Sequence, residues 1–169
     1  MTTKEKLLAL LEDSKGTFFS GEEIARTLQV SRAAVWKAVS ALREDGYTID
    51  AATNKGYRLS PDSDILSPQG IRRFLKPEYR DLDLTVLPTA PSTNALVREK
   101  ANQGCPEGCI IIACEQTAGR GRYGRQFFSP VDSGVYLSLL LRPTAYSPQQ
   151  ATCLTAAAAA AMCQAIEEV

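Results

Sequence analysis

The sequence contains no histidine and a single tryptophan, Trp36. It has no uninterrupted run of 18 apolar residues, which excludes a helix spanning a membrane. No sign of charge dominates: 19 Lys and Arg face 19 Asp and Glu, so the whole chain exerts no electrostatic pull on nucleic acid or lipid. Residues 1–60 hold nine basic and eight acidic side chains, so any DNA contact there must rest on local placement of charge. Cysteine is missing from the first hundred residues, and five follow: Cys105, Cys109, Cys114, Cys153 and Cys163. The first three form a Cys-x3-Cys-x4-Cys series, but no histidine exists to complete a zinc site. Buried or incidental thiols, and no metal, are expected. The opening Met-Thr-Thr-Lys-Glu-Lys lacks the apolar core of a signal peptide, so a cytoplasmic location with reduced thiols is expected.

What is present is enough apolar sequence for one or two cores: 44% of 169 residues. Leu7, Leu8, Leu10 and Leu11 among Lys and Glu predict an amphipathic helix over 3–13. Ser20 and Glu23 have capping-box spacing before a short helix with Ile24, Ala25 and Leu28 on its apolar face. Gln29-Val30 turns the chain, Ser31 caps a third helix to about Asp45, and Gly46 stops it. In that helix Val35, Ala38, Val39 and Leu42 share one face, and Ala33, Lys37 and Ser40 the other, flanked by Arg32 and Trp36. Short side chains with one cation suit close approach to a major groove. Two strands, 47–50 and 57–59 around Asn54-Lys55-Gly56, complete a winged helix-turn-helix, with Lys55 and Arg58 available for phosphates. Such a unit also serves as a protein-binding or dimerising module, and the pattern leaves both readings open.

A polar, Pro-containing stretch follows, then Ser67-Pro68 opens a helix whose buried side is Ile71, Phe74 and Leu75. Residues 82–87 alternate as a strand, and Ser92-Thr93-Asn94 start a helix to about Gln103. These three are good capping residues; a helix N-terminus with spare hydroxyl and amide groups can equally hold a polar ligand. Residues 109–114 read as a buried strand, and Val135, Leu137, Leu139 and Leu141 predict a largely buried strand over 134–141. Ser147-Pro148-Gln149-Gln150 has capping-box spacing for a last helix, whose Ala156–Ala161 run would allow close helix–sheet packing, although alanine's high helix propensity explains it as well.

Between the last two strands lies Glu115-Gln116-Thr117-Ala118-Gly119-Arg120-Gly121-Arg122-Tyr123-Gly124-Arg125. Glycine permits positive φ and close approach, and arginine offers a planar fork of donors for carboxylate and phosphate. The pattern fits a loop folding over an anionic small molecule, a solvated surface loop, or an RNA-binding Arg/Gly stretch, although the last is not usually framed by apolar strands. Phe127, Phe128 and Pro130 are placed to pin its far end.

This loop, with Phe128-Ser129-Pro130, Gly134-Val135-Tyr136-Leu137-Ser138 and the upstream Ser92-Thr93-Asn94, resembles the biotin-binding elements of biotin protein ligases. Ser31-Arg32-Ala33-Ala34-Val35 and Lys55-Gly56-Tyr57 resemble the family's bifunctional repressor branch. The resemblance implies an α+β chain: a DNA-binding domain at 1–60, a linker at 61–66, and at 67–169 part of a class II synthetase-like catalytic domain with a mixed sheet. It implies that Ser92, Thr93, Asn94, Gln116, Arg120, Gly121 and Arg122 bind biotin, and that Gly119, Gly124 and Arg125 close over the adenylate. The implied DNA contacts are Ser31, Arg32, Ala33, Trp36, Lys37, Ser40, Lys55 and Arg58. The implied reaction joins biotin to ATP, with Mg²⁺, and passes it from biotinyl-adenylate to a lysine of the biotin carboxyl carrier protein. The adenylate also favours a homodimer that binds operator DNA.

The family's Lys-Trp-Pro-Asn-Asp motif is absent, since the one tryptophan lies at 36. The chain therefore reads as the N-terminal part of the family's length, with little or no ligase turnover by itself. A non-enzymatic, biotin-responsive transcription regulator is the alternative reading.

Overall fold

The computed structural model describes residues 1–131, 133–144, 147, 150 and 153–168. The N-terminal region runs α1 (Thr3–Asp13), α2 (Gly21–Leu28), α3 (Arg32–Glu44), β1 (Ile49–Ala52) and β2 (Gly56–Leu59). Each helix starts where a hydroxyl takes an orphan N–H: Thr2 from Glu5, Ser20 from Glu23, Ser31 from Ala34. The full capping box lies at Thr2–Glu5. At Ser20–Glu23 only the hydroxyl's half of the expected box is formed. β1 and β2 pair antiparallel, and an isolated bridge from Phe19 to Tyr57 adds a third short edge to the wing. Gly56 is required there: a Cβ would stand 2.0 Å from the Phe19 carbonyl oxygen.

Twelve buried residues form one apolar cluster, with Leu7, Leu11, Ile24 and Leu42 fully enclosed. The face of α3 expected to be apolar (Val35, Ala38, Val39, Leu42) is the buried one. The stretch after β2 is held down and does not hang free. Lys15 bonds the Ser63 carbonyl, and Ile65 packs against the cluster. Ser67 caps α4 (Pro68–Arg72) by accepting from Gly70 at 2.9 Å, and its hydroxyl donates to the buried Glu12 carboxylate at 3.2 Å. Arg73 reaches the Glu12 carbonyl at 2.6 Å. Burial pushes the nearby Tyr47 phenol up. The expected buried side of α4 is not formed: Ile71 and Leu75 are only half-buried and Phe74 is 82% exposed, because the helix ends at Arg72 and a turn carries the chain onward.

The C-terminal region holds β3 (Leu84–Leu87), α5 (Thr93–Asn102), β4 (Ile110–Ala113), β5 (Tyr136–Leu139) and α6 (Cys153–Glu167). β3 pairs parallel with β4, and β4 antiparallel with β5, giving a mixed sheet in the order β3-β4-β5. α5 is the crossover that a parallel pair demands. In register, Thr85, Ile111 and Ser138 share the face toward α5, whereas Val86, Ile112 and Leu137 share the other.

Two expectations are corrected here. β5 is not largely buried: Tyr136 is, but Leu137 is 51% exposed and Val135, Leu139 and Leu141 are exposed with it. The expected apolar face points away from α5, and β5 is the sheet's edge. Phe127 and Phe128 do not pin the Arg/Gly loop by apolar contact; both are exposed, and the buried residue between loop and sheet is Ser129. Among the described residues none of α6 is buried, which leaves helix propensity as the reading of its alanine run. Ser147 and Gln150 exchange the two bonds of a capping box, while Pro148 and Gln149 lie outside the described residues.

Candidate functional site

The parallel strands β3 and β4 deliver the chain, at their C-terminal ends, to Ser92 and Gln116 respectively. Their pairing continues past the strands through the Ala90–Gln116 bridge, and Gln116 also bridges Ser129. Ligands of open α/β sheets bind in the crevice at this end of the strands. Ser92 caps α5 weakly, accepting from the Ala95 N–H at 3.4 Å. Thr93 is buried, and its amide N–H donates to the Gln116 Oε1 at 2.8 Å. Its hydroxyl lies 3.2 Å from the same oxygen and 2.9 Å from Ser138 Oγ. Gln116 Nε2 donates to Ser129 Oγ at 3.2 Å. Four short polar side chains from four chain segments thus meet in one knot, and no buried side-chain polar atom among the described residues lacks a partner.

The loop leaves this knot at Gly119, which is buried because it must pass the return strand. A Cβ there would sit 2.6 Å from the Phe127 carbonyl oxygen and 2.9 Å from Ser129 Oγ. Beyond it the loop is a small hairpin, closed by Phe127 N–H to Gly119 carbonyl at 2.9 Å and Gly121 N–H to Arg125 carbonyl at 2.8 Å. Its tip turns on left-handed Tyr123 (φ 57°) and Gly124 (φ 73°). Arg120 and Arg125 are exposed beside the knot; the side chain of Arg122 lies outside the described residues.

Thr93 and Gln116 are therefore brought together, with Ser92 at the helix start. Asn94 is exposed at the same helix end and takes no part in the knot's hydrogen bonds among those described. Ser129 and Ser138, outside the expected contact set, complete the knot. The signal for Ser138 is its parity with Tyr136 on β5, and for Ser129 it is a small polar residue between phenylalanines and proline. Thr89 adds a hydroxyl bond to the Glu115 carboxylate at 3.1 Å on the rim.

A second candidate surface lies on the N-terminal region. Arg32, Ala33 and Trp36 of α3 face Asn54 and Tyr57 of the wing across an open groove of about 750 Å³, with Glu22 at one side. Trp36, 62% exposed, lines this groove. Ser31 is taken up as a cap, Lys37 is exposed, and Ser40 is half-buried. The two wing cations differ. Arg58 is bound to Asp50 at 2.8 Å and stacks over Phe18 at 4.7 Å, whereas Lys55 is exposed and only 5.9 Å from that ring's centre.

Away from both surfaces, ligand atoms of Asp83, Cys105 and Cys109 lie within 4.8 Å of one another. The first two cysteines of the series are thus joined at the N-terminal ends of β3 and β4, and the third is not. Asp83 is already paired with the Lys100 ammonium at 2.7 Å, which holds its carboxyl below the ordinary carboxylate range.

Comparison with known proteins agrees with the division seen in the structure. Residues 3–58 match an HTH domain, and residues 86–169 match the biotin/lipoate A/B protein ligase family. The chain is 41% identical over 167 residues to the bifunctional ligase/repressor BirA of Bacillus subtilis (strain 168), covering 99% of this chain and 51% of that protein. It is 37% identical over 141 residues to the protein of the same name from Escherichia coli (strain K12), covering 83% of this chain and 42% of that one. The chain thus spans about half the length of the curated relatives it matches. With its helix-turn-helix, its mixed sheet and the Arg/Gly loop between β4 and β5, the chain belongs to the biotin/lipoate A/B protein ligase family, in the line that carries an N-terminal HTH domain.

Proposed function

We propose that this chain recognises biotin at the Thr93–Gln116 knot, that its parent activity is ATP-dependent biotin–protein ligation, and that its winged helix binds operator DNA. The observation that carries this is the knot itself: amide and hydroxyl groups gathered at the end of a parallel strand pair, beside an arginine-bearing hairpin. In this reading the ureido ring of biotin sits against Ser92, Thr93, Asn94 and Gln116, exchanging with bonds these groups now make to each other. Arg120 and Arg122 are the cations assigned to the biotin carboxylate and the α-phosphate of ATP, where negative charge gathers during adenylation. Gly121 gives close backbone approach, and Gly119, Gly124 and Arg125 shape the hairpin that keeps water from the mixed anhydride. ATP brings Mg²⁺ when bound, which shares the phosphate charge with the arginines.

The acceptor is a lysine of the biotin carboxyl carrier protein. The adenylate binds one arrangement of the hairpin better than another and so favours a homodimer, which presents two winged helices to an operator. The functional division is the DNA-binding part at 1–60, the connector at 61–66, and the ligand-binding part from 67. Ser31, Arg32, Ala33, Trp36, Lys37 and Ser40 meet the groove, and Lys55 meets phosphate. Arg58, tied to Asp50, serves the wing's shape first. Without a Lys-Trp-Pro-Asn-Asp stretch the 169 residues are expected to transfer biotin slowly or not at all.

Calorimetric titration with biotin tests the reading. Binding to the chain that Thr93→Val weakens about tenfold, the worth of one lost buried hydrogen bond, supports it. Absence of biotin binding, together with steeply salt-dependent RNA affinity through the Arg/Gly hairpin, would overturn it. Operator binding without any adenylate formation would favour the purely regulatory reading.

A further inference from the structure

We propose that Cys105 and Cys109 are a reversible redox pair, a modification site at the end of the sheet opposite the ligand site. Their sulfur atoms already lie within 4.8 Å of each other. A disulfide needs about 2.0 Å between sulfurs, so closure requires a shift of less than about 3 Å, within reach of side-chain rotation. The backbone on both sides is held in place. The Cys105 amide donates to the Lys100 carbonyl at 3.0 Å, and its carbonyl accepts from Arg142 at 2.8 Å. The Cys109 carbonyl accepts from the Leu140 amide at 2.8 Å.

The two thiols are unequal in the way such pairs use. Cys105 is half-buried and lines a shallow surface pocket of about 290 Å³ with Asp83, Lys100, Gln103 and Gly104. A small oxidant reaches it there; its thiol donates to the Asp83 carboxylate at 3.6 Å, and that carboxylate is paired with the Lys100 ammonium. Cys109 is buried behind it, and burial, then contact with Cys105, pushes its thiol up to about 11. Because Cys109 is enclosed and Cys105 faces the pocket, an oxidant meets Cys105 first and Cys109 is the resolving partner.

The chemistry balances with a peroxide as oxidant. The Cys105 thiolate attacks one peroxide oxygen: an S–O bond forms, the O–O bond breaks, and the departing hydroxide takes a proton to become water. The Cys109 sulfur then attacks the Cys105 sulfur. The S–S bond forms, the S–O bond breaks, and the leaving hydroxide accepts the Cys109 proton. Two thiols lose two electrons and two protons, and one peroxide becomes two waters.

The test uses the full chain with hydrogen peroxide, followed by thiol counting in denaturant and cleavage after Glu107. Two of the five thiols should disappear together. The Cys105 peptide should stay joined to the one beginning at Gly108 until reductant is added. The link should persist in Cys114→Ser and vanish in Cys109→Ser, where Cys105 is instead trapped by dimedone as sulfenic acid. A link that vanishes in Cys114→Ser, a link only between two copies of the chain, or a Cys105 that stays reduced while other thiols oxidise would each overturn the proposal.

Discussion

The two regions of this chain solve the burial problem differently. In the N-terminal region three capped helices and a wing enclose all of Leu7, Leu11, Ile24, Val35, Val39 and Leu42 among themselves. In the C-terminal region the central strand is buried, yet β5 turns leucines outward, and α6 buries nothing among the described residues. The first region is complete in its local contacts. The second has one covered face, toward α5, and one on which Leu84 and Ile112 are buried but Leu137 and Leu139 of β5 are exposed. An apolar residue is therefore worth much more in the first region than in the second.

That contrast can be broken most directly at two leucines. Leu42→Ala, at a fully buried site, should destabilise the N-terminal region by about 2–5 kcal/mol. Leu139→Ala, at an exposed site, should change stability by no more than about 0.5 kcal/mol. Thermal melts followed by circular dichroism would show it; equal losses would erase the distinction. Next in size is Gly119→Ala, which drives a Cβ against the Phe127 carbonyl and Ser129. A cost of about 1–3 kcal/mol is expected, confined to the hairpin and the knot, with faster amide exchange at Phe127 and an unaltered N-terminal melt. Ser31→Ala removes the cap of α3 and should cost about 1 kcal/mol in the N-terminal region alone.

The smallest effect lies at the Asp83–Lys100 pair, whose partners are partly exposed and screened by solvent. The pairing lowers the Asp83 carboxyl and raises the Lys100 ammonium from their ordinary values. The Asp83 contribution is complete above the ordinary carboxylate pKa and fades as pH falls through its lowered folded value. The Lys100 contribution is complete below the ordinary lysine pKa and fades as pH rises through its raised folded value. Between those limits the melting temperature should differ from that of Lys100→Met by a small, constant amount, and the difference should shrink in acid and in strong base. A difference that varies across neutral pH would assign the effect to another group.

How far the sequence carried the fold follows the same division. Caps, helix periodicity and the wing turn at Asn54-Lys55-Gly56 are local signals, and they gave α1 to α3, β1 and β2 within a few residues. The apolar alternation of 135–141 was equally visible, but alternation says only that two faces differ, not which one meets a partner. Phe74, Phe127 and Phe128 misled for a related reason: hydrophobicity was read as burial where turns carry the side chains outward. The candidate site was legible through Thr93 and Gln116, which carry distinctive neighbours. Ser129 and Ser138 were harder, because a serine is a common residue whose role depends on a register fixed only when β4 and β5 pair. The proximity of Cys105 and Cys109 was in the spacing, but their meeting with Asp83 needed the strands.

The bonds joining Thr93, Gln116, Ser129 and Ser138 have a thermodynamic consequence for whatever binds there. Each of these four side chains already has a hydrogen-bond partner, so a ligand must displace bonds that exist. Recognition becomes an exchange at nearly constant hydrogen-bond count, with a small net heat from the polar contacts and a free energy dominated by released water and buried apolar area. Selectivity then belongs to molecules offering donor and acceptor side by side, as a cyclic urea does. An analogue with the ring carbonyl but no N–H would leave one member of the knot stranded, and should be rejected far more strongly than its shape alone suggests.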